Sequence, residues 1–312
     1  MEKMHAAVVT SFDEPPHYLP FDVPQLVHPN ESLVDVLAVG LHPRTRSGAA
    51  GAHYTSSGTL PMIPGVDGVA RRGDGTLVYF AADDGVIGTM ADKTLVDARR
   101  LVELPGGVDV ASVAATMNPA MSSWVALRRR VPITPGQSVL VLGATGNAGS
   151  MAVPVAKRLG AGHVIGAGRD PQRLAALDAD KKVGLAGHDL AVAADVDVVL
   201  DYLWGRPSQE AIMAMLTRRA DRSRPLDWIQ IGSVAGPTIE LPSVALRSAN
   251  FQLLGSGQGS VSPRDYVAEL PSLVEEIAAG RLVVPAVTRP LADVERVWTE
   301  PETPGVRTVL VP

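Results

Sequence analysis

Residues 138–150 read Ser-Val-Leu-Val-Leu-Gly-Ala-Thr-Gly-Asn-Ala-Gly-Ser, an apolar run that ends in Gly143, Gly146 and Gly149 at three-residue spacing. A short apolar run without alternation suits a strand buried on both faces, as in a parallel sheet covered by helices. The glycines suit the tight turn that leads from such a strand into a helix. Gly143 tolerates the unusual φ of that turn, Gly146 lets backbone approach a ligand, and Gly149 lets the next helix pack on the sheet. The helix beginning there presents free N–H groups and a partial positive charge. An Ala-rich helix then runs to Leu159-Gly160, and a second strand is expected over 163–168. A glycine triplet alone also fits a plain structural turn. Strand, turn, helix and strand in this order point instead to a pyrophosphate-binding site of a dinucleotide, with Thr145, Asn147 and Ala148 among its contacts.

The end of the second strand bears on which dinucleotide. An acidic residue there holds the ribose hydroxyls of NAD, whereas a basic one suits the extra phosphate of NADP. This strand ends Gly168-Arg169, with Asp170-Pro171 next. Asp before Pro is the pattern of a helix N-cap and first helical position, which occupies Asp170 in starting a helix through Leu177. Arg169 either offers a charge-assisted fork to a phosphate or is a solvated surface arginine. The pair favours NADPH.

The composition sets outer bounds. With 312 residues and 46% hydrophobic content the chain can bury a large core and form two domains. A net charge of −5 gives no electrostatic reason to expect nucleic acid or an anionic membrane as partner. Arg128-Arg129-Arg130 reads as a solvated helix C-terminus. The chain has no cysteine, which removes disulfides, thiol nucleophiles and thiolate metal sites together. The N-terminal residues lack a signal peptide's apolar core and no stretch is long enough to cross a bilayer, so a cytoplasmic location is the expectation.

Short β-like runs at 6–10, 32–39, 66–71, 76–80 and 94–96, with many Pro and Gly between them, suggest a barrel-like β domain. Compact apolar runs at 196–202, 228–232 and 251–255 then alternate with helical segments, the pattern of a parallel sheet with helices on both faces. Asn118-Pro119 and Ser262-Pro263 look like further helix starts, opening helices to about Arg130 and Ala279, with Gly280 as the stop. Residues 282–311 return to Pro-punctuated β character and are expected to rejoin the first domain. Pro154 falls inside the helix after the glycine turn, where a kink or irregular turn is expected.

A β domain first, a dinucleotide-binding unit second and a C-terminal return resemble the medium-chain dehydrogenase/reductase superfamily, and within it the zinc-independent quinone oxidoreductases. The carriers are Pro64-Gly65-Val-Asp-Gly68, Gly88-Thr-Met-Ala91, Ser122-Ser123-Trp124 ahead of Pro135-Gly136 and the glycine turn, Ile231-Gly232-Ser233, and Leu246-Arg247 with Leu254-Gly255-Ser256. The resemblance covers nearly the whole chain. It implies an α/β fold in which a Rossmann doubly wound parallel sheet (116–281) comes after a GroES-like, partly open β-barrel (1–115), rejoined by 282–312. It implies cofactor contacts at Ser122, Gly232, Ser233, Val234, Gly255 and Ser256, no metal, and a homodimer. Ser122 is equally readable as a helix hydroxyl satisfied by backbone.

The implied activity is NADPH-dependent reduction of a quinone or of the activated C=C bond of an enone. Carbonyl reduction and a non-catalytic NADPH-binding role are the alternatives. Family members commonly read Asn-Pro-x-Asp, then Gly and Tyr, where this chain has His42-Pro43-Arg44-Thr45 through Gly51-Ala-His53-Tyr54. Tyr54 matches, while His42 and Thr45 depart. His42 and Tyr54 are therefore the candidates for stabilising charge that develops on a substrate oxygen or for delivering a proton. A hydrogen-bonded structural histidine and an aromatic cap are the alternative roles.

Overall fold

A computed structural model describes residues 2–82, 85–185 and 190–312. Its contacts divide the chain into two compact units, Met1–Asn118 with Leu270–Pro312, and Pro119–Glu269.

In the first unit, β1 (Lys3–Val8) pairs antiparallel with β2 (His17–Asp22). Then come β3 (Glu31–Gly40), helix α1 (Pro43–Ala49), β4 (Asp67–Arg71), β5 (Leu77–Ala81), β6 (Lys93–Asp97) and β7 (Leu101–Glu103). All five expected strands are present, four with ends within one residue and β1 displaced by two to three residues toward the N-terminus. The sequence pattern missed β2 and β7: β2 carries Pro20, which cannot donate to a ladder and is tolerated here in a two-stranded pair.

Helix α2 (Val110–Val125) corrects one expectation. Asn118-Pro119 does not open it, because Pro119 lies inside it. The start is instead at Asp109, whose carboxylate accepts from Ala111 N at 3.0 Å. Proline at this depth only leaves the Ala115 carbonyl without its usual donor.

The second unit contains β8 (Ser138–Leu142), α3 (Asn147–Arg158), β9 (His163–Gly168), α4 (Pro171–Ala176), β10 (Lys181–Gly184), β11 (Val198–Asp201), α5 (Gly205–Arg218), β12 (Leu226–Gln230), α6 (Ser243–Arg247), β13 (Phe251–Gly255) and α7 (Pro263–Ala268). The six strands form one parallel sheet in the order β10-β9-β8-β11-β12-β13. Side chains alternate across it as the pleat requires. Leu140, Leu142 and Val199 join a core with Ile212, Met215 and Trp228, while Val139, Val141, Val198 and Leu200 join another with Ala152, Val153 and Ala156 of α3. The apolar runs in the sequence thus reflect burial on both faces. Helix α3 is continuous through Pro154.

The arginine triplet is also not simply solvated. Trp124 Nε1, Arg128 and Arg129 converge on the buried carboxylate of Glu269, and Arg130 donates to the carbonyls of Gly255 and Ser260. Ser262 caps α7 as expected, but the helical run to Gly280 is broken at Glu269 into α7 and α8 (Leu270–Ala278). The tail then forms β14 (Ala286–Pro290), α9 (Val294–Thr299) and β15 (Arg307–Val311). β15 pairs antiparallel with β3, completing a seven-stranded sheet of order β14-β15-β3-β4-β5-β7 with β6 also on β3. No helix among the described residues is long and apolar enough to cross a membrane.

Candidate active site

The phosphate turn is built between β8 and α3. Gly143 is buried at φ +86°. Its N–H and that of Ala144 both donate to Ala167 O at 2.9 Å, which ties the turn to the end of β9. A Cβ on Gly149 would stand 2.2 Å from Gly143 O, so a side chain there forces helix and turn apart. Gly146 is the N-cap of α3 and no side chain caps the helix. The first-turn donors of Asn147, Ala148 and Gly149 are therefore arranged as an anion site. Thr145 lies over Gly168, its Cγ2 2.4 Å from where a Cβ on that glycine would sit. This close-fitted cradle, filled by any added Cβ, matches the needs of a pyrophosphate backbone contact.

At the end of β9, Asp170 accepts from Gln172 N at 3.0 Å and Arg173 N at 3.1 Å, capping α4. Its carboxylate is engaged as the Asp-Pro pattern predicts. Arg169 beside it is exposed and makes no ion pair or hydrogen bond among the described residues.

The strand order reverses between β8 and β11, and ligands of such sheets bind in the crevice beyond the strand ends at that point. The turn after β11 lies at these strand ends, and sequence reasoning missed its residues. Asp201 is wholly buried; its Oδ1 accepts from Leu203 N at 2.8 Å and Trp204 N at 3.1 Å, and its Oδ2 from Trp228 Nε1 at 2.9 Å. Leu203 packs on the glycine turn, its Cδ2 2.9 Å from where a Gly143 Cβ would be. Tyr202 is buried and its phenol is pushed up to about 12 by that burial, against hydrogen bonding to Ser122 and Ser123. The only signal in the sequence is an aromatic pair placed directly after a strand.

The remaining cofactor-side candidates are unequal. Ser122 Oγ donates to Pro119 O and meets Tyr202 OH, both at 3.0 Å. Gly232 backs onto Tyr202, whose carbonyl lies 2.7 Å from a built Cβ. Ser256 N donates to Gln230 O at 2.8 Å, setting that residue at the β12 and β13 ends. Ser233 and Val234 are exposed, and Gly255 takes the Arg130 guanidinium on its carbonyl.

In the first unit, His42 is the N-cap of α1 with Pro43 in the first helical position. Its Nδ1 accepts from Thr45 N at 3.4 Å, which leaves Nε2 to donate to Asp67 Oδ1 at 3.0 Å. Asp67 Oδ2 accepts from Tyr79 OH at 2.8 Å. His42, Asp67 and Tyr79 are all buried. Arg307, also buried, donates to Leu41 O, and burial lowers its guanidinium pKa against the opposing charges of Glu302 and Asp67. Both ring nitrogens of His42 are thus engaged by groups of its own unit. Tyr54, by contrast, is 71% exposed, with its ring centroid 4.2 Å from that of His53. Beside α1 lies a pocket of about 430 Å³, counting its open mouth, lined among others by Phe12, Arg44, Thr45, Ser56 and Met62. Among the described residues no group of three or more His, Cys, Asp or Glu side chains could hold a metal ion.

No protein-family model matches this chain. It is 31% identical to the probable NADPH-dependent quinone reductase tdiC of Emericella nidulans, across 99% of this chain and 100% of that protein. Among solved structures it resembles a mycobacterial quinone oxidoreductase at a TM-score of 0.84 and 20% identity, covering 99% of this chain and 100% of the other. It also resembles the quinone oxidoreductase of Thermus thermophilus, studied alone and in complex with NADPH, at a TM-score of 0.77 and 25% identity over 99% and 100% of the two chains.

Proposed function

The chain belongs to the quinone oxidoreductase family of the medium-chain dehydrogenase/reductase superfamily, and on that footing we propose that it is an NADPH-dependent reductase of a quinone or of an enone's activated C=C bond. The observation that carries the reading is the turn at Gly143 to Gly149, with no side chain capping α3 above it and Arg169, exposed and without an ion pair among the described residues, at the neighbouring strand end. The E. nidulans relative, named for NADPH and quinone, supports the same cofactor and substrate class.

When bound, NADPH supplies a hydride. The residues of this chain that would hold it are the α3 first-turn amides for the pyrophosphate and Arg169 for the ribose phosphate. Gly232, Ser233, Val234, Gly255 and Ser256 at the ends of β12 and β13, with Ser122 on α2, are assigned to its other half. Reduction of an enone or quinone builds negative charge on oxygen, which a hydroxyl donor stabilises. Tyr54 is assigned that role because its side chain is presented to solvent. His42 is assigned to hold α1 and Asp67 in place. No step is assigned to a metal, since the donor set for one is absent from a chain without cysteine and without a His/Asp/Glu cluster among the described residues. A cysteine-free chain suits a reducing cytoplasm, and the family resemblance implies a homodimer.

The test is NADPH oxidation against a panel of quinones, enones and saturated ketones, with the products identified. Formation of a hydroquinone or a saturated ketone is the expected outcome. An allylic alcohol from the enone would move the assignment to carbonyl reduction, and cofactor binding without turnover across the panel would make the protein a non-catalytic NADPH binder.

A further inference from the structure

Trp204 has φ 54° and ψ −164° and is the single non-glycine residue at positive φ among the described residues. That region is one an L side chain rarely enters, and it persists only where surrounding structure over-determines it. The surroundings here do so. Asp201 holds the N–H groups of Leu203 and Trp204, Ala235 N donates to Leu203 O at 2.8 Å, and a Cβ on Gly205 would meet Ala235 O at 2.8 Å. A glycine at position 204 would adopt the same turn without strain. The indole is partly exposed, and among the described residues it makes no hydrogen bond and no ring or cation contact, unlike Trp124 and Trp228, whose N–H groups are engaged.

A strained aromatic residue, its indole without a polar or ring partner among the described residues, therefore stands in the turn after β11, one residue beyond Leu203, which touches the glycine turn. Arg169 at the β9 end places the phosphorylated ribose on one side of the strand-order reversal, so the nicotinamide half extends past β11 toward β12 and β13. We propose that Trp204 is a cofactor-contacting residue whose indole packs against the nicotinamide half of NADPH, and that the backbone strain is retained to keep the ring there. The proposal rests on the NADPH reading of the glycine turn and Arg169.

Two substitutions test it in the full-length protein, read by calorimetric titration with NADPH and by indole fluorescence. Trp204→Gly is expected to raise the thermal midpoint of the cofactor-free protein, by releasing the strain, while weakening NADPH about tenfold, the scale of one aromatic stacking contact. Trp204→Phe keeps a ring and is expected to bind NADPH close to normally while losing most of the energy transfer from indole to the bound dihydronicotinamide. Unchanged NADPH affinity in a folded Trp204→Gly protein, or undiminished energy transfer in Trp204→Phe, would overturn the proposal and leave the cofactor reading standing. Failure of the unsubstituted protein to bind NADPH would overturn both. If Trp204→Gly does not fold, the fluorescence of Trp204→Phe decides alone.

Discussion

His42 Nε2 lies 3.0 Å from Asp67 Oδ1, with side-chain exposures of 1% and 6%. The pair joins the start of α1 to β4, and Tyr79 completes the carboxylate from β5. His42→Ala removes a helix cap and one of the two side-chain donors of a buried carboxylate, so it should destabilise the protein by about 1–3 kcal/mol. Tyr79→Phe should cost a similar amount by leaving Oδ2 unpaired. Chemical denaturation measures both. NADPH affinity should stay unchanged in either, since the glycine turn belongs to the other unit.

Tyr54 separates chemistry from packing. Because the ring is exposed, Tyr54→Phe should leave stability within about 0.5 kcal/mol of normal. If its hydroxyl stabilises the developing oxyanion, kcat should fall about 10²-fold with little change in the KM for NADPH. Steady-state kinetics on a substrate found in the panel checks this, and an unchanged kcat would assign the proton to water.

The features legible in the sequence are those set by local chemistry. The glycine turn, the Asp170 cap and the doubly buried strands each announce themselves within a few residues. Asn118-Pro119 misled because an N-cap pattern does not exclude proline inside a helix already started at Asp109. The arginine triplet was legible as a largely exposed helix end, but its pairing was not, because the organising carboxylate, Glu269, is some 140 residues away in the chain. His42 was legible as a departure from family pattern, but its burial depends on Asp67 and Tyr79, which reach it through sheet pairing. Trp204 was invisible because residue type gives no hint of a φ imposed by Asp201.

Arg169 should set cofactor preference. Its guanidinium is exposed and unpaired among the described residues, whereas Asp170 is used as a cap. Hydrogen bonds to charged groups contribute about 1.5–3 kcal/mol, so Arg169→Ala should reduce the NADPH-over-NADH preference by about tenfold to a hundredfold. Titrations with both cofactors measure the ratio. Equal affinities in the unsubstituted protein would remove Arg169 from the site.

Asp227 on β12 gives a prediction in pH. Burial first, and the neighbouring negative charge of Asp197 second, raise its carboxyl pKa above the ordinary value. The folded protein therefore holds this proton more tightly than the unfolded chain does. Stability from this group is unaffected below the unfolded value of about 3.9 and is lost as pH rises through that value to the raised folded one; the full penalty applies above it. Asp227→Asn keeps the shape and removes the charge. Its thermal midpoint should exceed that of the unsubstituted protein at pH 7, and the difference should shrink as the pH falls, vanishing below about pH 4. A midpoint gain that persists unchanged into acid would mean that the substitution acts through packing, and that the carboxylate carries no electrostatic penalty in the fold.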